Sequence, residues 1–415
     1  MNEPSDQQAR KRILEELNTT FLVEAGAGSG KTTSLVGRLL ALIESGTAKM
    51  EHIAAITFTN KAADEMKERF RIALERKAAD VEGENRDRLE EALANLDQIF
   101  IGTIHAFCSS MLRERPIEAG LDPSFEEMDD EMNRAFHDQC WDEYLIQLQE
   151  GDSEALASFA EVDIDVSILK NVYDRVSIFT DLQIPCEPVH CPDFNLIRLS
   201  LLPMIEEASR FLPTAEPEKG WDNLQAKLRT ANRMLRLSDE QDDMLMLTLA
   251  KMFDFKLDVK QYKWTDKKQA KAISERFHDW QITVLFPFLQ SWREYLYPKV
   301  IQFVLPALEY CRERRLQAGK LNFQDLLMYA CRLLRDYPEV RAFFAGRYQR
   351  LMVDEFQDTD PVQAEMMFLL TGAGDDPNER NWRKLTPKPG SLFLVGDPKQ
   401  SIYRFRRADI SIYNE

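Results

Sequence analysis

The stretch Ala25-Gly26-Ala27-Gly28-Ser29-Gly30-Lys31-Thr32 decides the fold of this chain. A short apolar run at 21–23 precedes it, and a helical pattern begins at Lys31. A glycine-rich turn that joins a strand to a helix and ends in Gly-Lys-Thr is the pattern of a phosphate loop, here with Ala25 in place of the first glycine. The strand–loop–helix context favours this interpretation over an ordinary glycine-rich turn.

Each residue type in this loop has a task at a nucleoside triphosphate. The glycines allow backbone N–H groups to turn toward the phosphates, and the helix N-terminus adds a partial positive charge. In such loops the lysine, here Lys31, reaches the β- and γ-phosphates, and the Thr32 hydroxyl binds Mg²⁺. The loop therefore predicts ATP and Mg²⁺ as cofactors, with Thr33 in the same site.

Further apolar runs complete an α/β pattern. The runs at 53–58 and 99–103 are each followed by a helical pattern, and two more lie at 351–353 and 392–395. Strands that alternate with helices at this spacing indicate a parallel sheet with right-handed crossovers. We therefore predict an α/β fold, a phosphate-loop parallel sheet with helices on both faces.

The sheet pattern is interrupted by a long segment in which helical spacing dominates and strand signals are weak. Its length, roughly 200 residues, is a normal domain size. We predict that 1–115 and 319–415 form the two parts of the sheet domain and that 116–318 is a mainly helical inserted domain.

Composition limits the remaining classes. The chain has 415 residues with 53 basic and 70 acidic side chains, a formal charge of −17. That balance argues against a protein that coats nucleic acid. However, 16 of the acidic residues and one basic residue fall between Glu118 and Asp165, so the rest is almost neutral and can hold a local nucleic-acid groove.

The expected compartment is the cytoplasm. No apolar run approaches the roughly 18 residues that span a bilayer, so no membrane partner is expected. The N-terminus lacks the basic and apolar regions of a secretory signal. The 6 cysteines show neither a CxxC pair nor zinc spacing, which is typical of reduced thiols.

A second motif, at 351–358, is an apolar strand that ends in Asp354-Glu355. An acidic pair at a strand end suits the other half of a nucleotide site: Asp354 would hold Mg²⁺, and Glu355 would orient and deprotonate the attacking water. Alone, such a pair is more often solvated than catalytic. Together with the phosphate loop, it favours the catalytic interpretation.

A third motif runs from Gly396 to Arg406 and follows the last apolar run. It brings Gln400 close to the expected position of a γ-phosphate, as a third catalytic candidate beside Lys31 and Glu355. Aromatic and basic residues then alternate, with Tyr403 and Phe405 between arginines, which suits bases and phosphates of single-stranded nucleic acid. An amphipathic surface segment is the alternative for this stretch taken alone.

These residues, with four further blocks, resemble the N-terminal ATP-binding portion of UvrD/Rep-like superfamily 1 DNA helicases, in particular the RecB/AddA-like branch. The seven blocks stand in the family's order and leave most of the insertion uncovered. They are 25–32, 57–63 (Thr-Phe-Thr-Asn-Lys-Ala-Ala), 102–107 (Gly-Thr-Ile-His-Ala-Phe), 121–125 (Leu-Asp-Pro-Ser-Phe), 322–327 (Asn-Phe-Gln-Asp-Leu-Leu), 353–359 (Val-Asp-Glu-Phe-Gln-Asp-Thr) and 396–406.

The resemblance implies a RecA-like sheet domain and further site residues. Family positions that line the single-stranded DNA track are matched by Phe58, Asn60, Thr103 and His105, and those whose rings stack on bases by Tyr403 and Phe405. The upstream glutamine that reads adenine is matched by Gln8, with Gln7 as the neighbouring alternative.

The resemblance also implies an activity: an ATP-dependent helicase that moves 3′→5′ on single-stranded DNA or at single-strand/duplex junctions, in recombination or repair. Members of this branch can pair with a second helicase-nuclease subunit. The family places a second motor domain, with arginines that complete the ATP site, after the position of Glu415. The 415 residues would then be part of a longer helicase, with little activity alone.

Two alternatives belong to other classes. One is an ATP-dependent DNA-binding adaptor or clamp without unwinding activity, which a chain lacking the second motor domain would resemble. The other is an unrelated phosphate-loop kinase, against which the blocks at 353–359 and 396–406 argue.

Overall fold

The computed structural model describes residues 6–400 except 27, 152, 163, 180–183, 375 and 377. The chain divides into two compact units. The first combines Met1–Arg134 with Arg315–Glu415, and the second is Ala135–Arg314.

A sheet of five parallel strands organises the first unit. The strands are β1 (Phe21–Glu24), β2 (Ile53–Thr57), β3 (Phe100–Thr103), β4 (Arg350–Val353) and β5 (Leu392–Gly396). Their spatial order is β1-β5-β4-β2-β3. Because all strands are parallel, their carboxyl ends meet at one edge, and the loops that leave this edge carry the sequence motifs. The predicted α/β parallel fold is confirmed.

Apolar side chains cover both faces of the sheet because strand residues alternate between them. From β2, Ala54 and Ile56 enter one apolar core, and Ile53 and Ala55 enter another on the opposite face. β4 and β5 alternate in the same way. The strands therefore contain runs of apolar residues rather than an apolar–polar alternation.

Helices pack on these two faces. Those of the first unit are Gln7–Glu15, Lys31–Glu44, Asn60–Asp80, Glu84–Ala94, Ile104–Glu114, Pro116–Ala119, Phe323–Asp336, Pro338–Arg347 and Pro361–Thr371. Single 3₁₀ turns are Met50–His52, Phe356–Asp358, Trp382–Lys384 and Pro398–Gln400. Two-residue strands pair Glu126–Glu127 with Lys320–Leu321 and Gly372–Ala373 with Thr386–Pro387.

A buried arginine ties the N-terminal helix to the sheet. Arg38 is 1% exposed and donates hydrogen bonds to the carbonyls of Ile13 at 2.7 Å and Thr19 at 2.9 Å. Its guanidinium carbon lies 4.7 Å from the ring centroid of Phe393 on β5. Burial, followed by repulsion from Arg350, lowers the pKa of Arg38 to about 10. The cation therefore remains charged at neutral pH.

The second unit is helical, and aromatic residues fill its two apolar clusters. One cluster contains Phe277 and Trp292, and the other contains Trp141 and Tyr173. The elements within it or continuing into it comprise Asp130–Gly151, Ser153–Glu161, Val166–Val176, Phe194–Ser209, Asn223–Leu237, Asp243–Met252, Gln261–Lys263 (3₁₀), Lys267–Trp280, Gln281–Leu285 (π) and Phe286–Gln317.

The units divide at 134/135 and 314/315, whereas the sequence predicts an insertion of 116–318. Residues after 115 stay with the first unit because Phe125 packs in its core. The pairing of Glu126–Glu127 with Lys320–Leu321 holds the same segment there. Among the described residues, none of the helices is long and apolar enough to cross a membrane.

Candidate functional site

The glycine-rich loop leaves the carboxyl end of β1 and is joined to β5, where the Ala25 N–H donates to the Gly396 carbonyl at 3.0 Å. Gly28 and Gly30 have φ angles of 73° and 90°, which side-chain-bearing residues rarely adopt. Gly30 immediately precedes the helix Lys31–Glu44. The turn thus delivers the first-turn amides of the helix to the sheet edge, as an anion site requires.

A chain of hydrogen bonds connects the three predicted motifs. The Lys31 Nζ atom lies 2.5 Å from Glu355 Oε2, and the Gln357 amide nitrogen donates to the same oxygen at 2.7 Å. The Gln357 side-chain oxygen accepts from the backbone N–H of Asp397 at 2.8 Å. Phosphate loop, acidic strand end and the loop after β5 therefore form one site, although 324 residues separate Lys31 from Glu355 and 40 separate Gln357 from Asp397.

Glu355 has the one left-handed backbone conformation among the non-glycine residues that the structure describes, with φ 54°. Such a conformation costs about 1–3 kcal/mol and persists where the surroundings enforce it, frequently at active sites. Here it turns the chain from β4 into the 3₁₀ turn Phe356–Asp358. The turn aims the Glu355 carboxylate at Lys31.

Asp354 carries the features of a cation ligand. Burial first, and then the neighbouring Glu355 charge, raise the pKa of Asp354 to about 6. A half-buried carboxylate with this raised pKa is stabilised by a bound cation, and carboxylate and hydroxyl oxygens are ligands that Mg²⁺ accepts. Asp354 therefore fits the predicted metal role. Thr32, half-buried in the first turn after the loop, is the predicted second ligand.

The third catalytic candidate, Gln400, lies at the end of the described chain in a 3₁₀ turn after β5. Its amide donates to Asp397 Oδ2 at 2.5 Å, and this bond lowers the pKa of Asp397. Gln400 is exposed. It is therefore connected through Asp397 and Gln357 to Glu355, without a direct bond to the phosphate loop among the contacts described.

The remaining nucleotide candidates differ in placement. Gln7 and Gln8 are both exposed in the first turn of the N-terminal helix, and Thr33 is exposed beside the loop. Ala27 lies outside the described residues. From the N-terminal helix, it is Arg10 that reaches the loop, with its Nη2 atom 2.6 Å from the Ser29 carbonyl oxygen.

The DNA-track candidates of the described chain follow β2 and β3. Phe58 is half-buried and Asn60 is exposed at the start of the next helix. Thr103 caps the helix Ile104–Glu114 by accepting the Ala106 N–H at 3.2 Å. These residues lie at the same sheet edge as the nucleotide candidates. Tyr403 and Phe405 lie outside the described residues.

His105 has an aromatic neighbour that the sequence pattern does not assign to the DNA track. The ring of Phe323, which is 38% exposed, lies 4.8 Å from the His105 ring centroid. Phe323 belongs to the motif block 322–327, so the sequence indicates that this region is functional. Its contact with His105 depends on the fold and cannot be read from the sequence. Gln357 also belongs to a motif block, 353–359, but the sequence pattern assigns roles there only to the acidic residues Asp354 and Glu355.

The fold and site define a class first: a parallel-sheet protein of the phosphate-loop type, with an acidic strand end opposite the loop lysine. The sequence pattern of the UvrD/REP helicase N-terminal domain family matches residues 5–415. The chain belongs to this family, which confirms the predicted resemblance.

Curated relatives are similar to the chain over nearly its whole length. It is 26% identical over 465 residues to an ATP-dependent helicase/nuclease subunit of Pediococcus pentosaceus, covering 98% of this chain and 35% of the relative. Proteins with the same description from Listeria innocua and Staphylococcus haemolyticus are each 26% identical, over 97% and 94% of this chain. The chain spans about a third of the length of these relatives.

Proposed function

We propose that this chain is the ATP-binding part of an ATP-dependent DNA helicase that moves 3′→5′ along single-stranded DNA in recombination or repair. The observation that carries the proposal is the bonded series Lys31–Glu355–Gln357–Asp397, which joins the family's motifs into one site. The direction rests on the family resemblance.

Nucleotide binding requires an exchange of partners at Lys31. Its ammonium group pairs with Glu355, and a bound triphosphate offers stronger anionic acceptors in the same place. The loop amides and Lys31 then hold the β- and γ-phosphates. Thr32 and Asp354 would hold Mg²⁺, which neutralises the charge that develops on the phosphates during transfer.

The exchange also frees Glu355 for catalysis. A carboxylate released from Lys31 can accept a proton from water, while the Gln357 amide keeps its orientation. Gln400 lies two hydrogen-bonding residues away from Glu355. Contact of Gln400 with the γ-phosphate would therefore be transmitted through this chain of bonds to Glu355.

Coupling to DNA follows from the shared sheet edge. Ligands of open parallel sheets bind at the carboxyl ends of the strands. The DNA candidates lie at this edge: Thr103 is the last residue of β3, and Phe58, Asn60 and His105 come just after β2 or β3. Movement of the loops on hydrolysis can therefore change the DNA track over a short distance.

The relatives carry the description of one subunit of an ATP-dependent helicase/nuclease. We therefore include, as the partner protein, a second helicase-nuclease subunit, with DNA single strands or junctions as substrate in the cytoplasm. Arginines of a second motor domain, implied by the family resemblance, complete the ATP site.

The test measures ATP binding and DNA-stimulated ATP hydrolysis by the 415-residue chain, with Glu355→Gln as the matched variant. We expect ATP binding by both proteins and slow turnover, because an arginine finger contributes about 10³–10⁵ in rate. Rapid turnover that Glu355→Gln abolishes would contradict the need for a second motor domain. Failure of the chain to bind ATP would contradict the proposed function as a whole.

A further inference from the structure

Arg10 connects the N-terminal helix to the backbone of the phosphate loop. Its Nη2 atom donates to the Ser29 carbonyl at 2.6 Å, and its Nε atom donates to Asp6 Oδ2 at 3.0 Å. The guanidinium is close to the following residue as well, since a Cβ built on Gly30 would lie 3.4 Å from Arg10 Nη1. Asp6 thus orients the guanidinium, and its Nη2 atom contacts both Asp6 Oδ2, at 2.8 Å, and the loop carbonyl.

The bond has a geometric consequence for the anion site. In a trans peptide the C=O and the following N–H point in opposite directions. A hydrogen bond from Arg10 to the Ser29 carbonyl therefore fixes the Gly30 N–H on the side of the loop that faces away from Arg10. Gly30 has a φ of 90° and no side chain to hold this peptide in place. The bond from Arg10 therefore restrains the orientation of this peptide.

The hydrogen bonds described within the loop involve the peptides on either side of this one. The Ser29 N–H donates to the Gly26 carbonyl at 3.1 Å, and the Ser29 hydroxyl donates to the same carbonyl at 2.6 Å. On the other side, the Ser34 N–H donates to the Gly30 carbonyl at 2.9 Å. These bonds anchor the peptides on either side of Ser29–Gly30, and Arg10 anchors the peptide between them.

We propose that Arg10 is a positioning residue that holds the Ser29–Gly30 peptide so that the Gly30 N–H faces the phosphates of a bound nucleotide. The inference rests on the proposed ATP site and adds a residue to it. Arg10 acts through the backbone and touches no phosphate itself. Its ligand class is any di- or triphosphate that occupies the loop, with no preference for the base.

The test compares Arg10→Ala with Lys11→Ala in the full chain. Lys11 is a neighbouring cation whose described partner is Glu15, at 3.7 Å. The probes are ADP, measured by calorimetric titration, and inorganic pyrophosphate, measured by displacement of a fluorescent ADP analogue. We expect Arg10→Ala to weaken both ligands by about tenfold, because a charge-assisted hydrogen bond that orients the loop is lost. Lys11→Ala should bind both as the unaltered chain does.

Pyrophosphate has no base or sugar, so its affinity reports on the phosphate loop alone. A loss of pyrophosphate affinity therefore cannot come from an altered contact with the adenine base. Melting temperature is measured in parallel and should change little in either variant. Arg10→Lys keeps the charge but lacks the planar guanidinium, whose Nε and Nη2 atoms contact Asp6 and Ser29 together. The affinity of this variant for both probes should therefore be intermediate. Unaltered pyrophosphate affinity in Arg10→Ala, or in Arg10→Lys if the alanine variant does not fold, would overturn the inference. Equal weakening by Lys11→Ala would do so too, since general charge would then be the cause.

Lys31→Ala distinguishes this inference from the function on which it rests. If the unaltered chain binds ADP, Lys31→Ala loses most of that affinity, and Arg10→Ala binds ADP and pyrophosphate as tightly as the unaltered chain does, then the ATP site stands and the role of Arg10 is wrong. If the unaltered chain binds neither probe, the proposed ATP site itself is wrong, and the role of Arg10 falls with it.

Discussion

The two halves of the sheet's carboxyl edge are built in different ways. On the half formed by β1, β4 and β5, charged and amide side chains are bonded to one another across long sequence separations, as Lys31 is to Glu355. On the half formed by β2 and β3, Thr103 caps its own helix and Asn60 is exposed. One long-range contact described there is the packing of two rings, His105 and Phe323.

The difference corresponds to two kinds of ligand. The charge that develops on a phosphoryl group during transfer is stabilised best by groups that are already fixed in place, because reorganisation of those groups during the reaction slows it. Stacking on bases tolerates any sequence and needs exposed flat rings rather than a rigid network. Substitutions in the first half should therefore have large effects on affinity or stability, and those in the second half should have small effects.

The largest effect is expected at Lys31. Lys31→Ala should weaken ATP binding by about 100-fold, because it removes the cation that faces the phosphates. Lys77→Ala is the matched control, since Lys77 also pairs with a glutamate, Glu44 at 3.1 Å, away from the loop. Calorimetric titration with ATP gives both affinities. Equal ATP affinity of Lys31→Ala and the unaltered chain would show that the phosphate loop does not bind the phosphates.

The second effect is a pH dependence at Asp354. Its pKa in the fold, about 6, lies above the ordinary 3.8, so ionisation is unfavourable in the folded chain. Stability from this group is complete below pH 3.8 and is lost as the pH rises through 6. In the absence of Mg²⁺ and nucleotide, Asp354→Asn should therefore stabilise the protein by roughly 2–3 kcal/mol at pH 8 and by little at pH 4.

Denaturant unfolding at several pH values measures this, with Asp122→Asn as control. Asp122 is exposed, and bonds from Ser124 lower its pKa, so its stabilising contribution has the opposite dependence, lost as pH falls. If the free energy of unfolding of Asp354→Asn stays parallel to that of the unaltered chain from pH 4 to 8, ionisation of Asp354 is not unfavourable in the fold. The contrast between the two halves would then lose its electrostatic basis.

Sequence alone predicted the elements and motifs of the sheet domain because its signals are local. A glycine-rich turn, apolar runs and helical spacing each depend on neighbouring residues. The parallel sheet and the placement of the blocks at its edge followed from these signals. The strand order β1-β5-β4-β2-β3 did not, since it depends on packing across the whole chain.

The residues that sequence missed act through the fold. Arg38 is a buried cation among carbonyls of a distant helix and turn, and nothing near it in sequence indicates this. Gln357 joins two loops, and Arg10 joins a helix to a third. Polar side chains whose partners lie far along the chain leave no local pattern, so their roles emerge only with the structure.

A third, smaller effect is expected at Gln357. Gln357→Leu should lower the free energy of unfolding by about 1–2 kcal/mol, because the buried Asp397 N–H loses its acceptor and the half-buried Glu355 carboxylate loses one of its two donors. Gln349→Leu is the control, since Gln349 is exposed and donates to the neighbouring Gly346 carbonyl at 3.0 Å. Chemical denaturation compares them. Equal effects of the two substitutions would mean that the link between β4 and β5 contributes no stability.

The smallest effect, and the sharpest test of the contrast, concerns the rings at the second half of the edge. His105→Ala and Phe323→Ala should each weaken binding of a thymidine oligonucleotide by about 1 kcal/mol, the lower end for a stacked base, since the two rings already cover part of each other. Phe343→Ala is the matched control: Phe343 is 40% exposed, close to the 38% of Phe323, and its ring packs beside Phe344.

Fluorescence anisotropy over a salt series separates stacking from charge. Removal of the Phe323 ring should shift the affinity at every salt concentration and leave the slope of log affinity against log salt unchanged, because no phosphate contact is lost. The double variant should lose less than the sum of the single losses, since rings in contact share one platform. If Phe323→Ala and Phe343→Ala bind alike, the His105–Phe323 pair is a packing contact. The DNA track would then have to be sought among Phe58, Asn60 and the residues after Gln400.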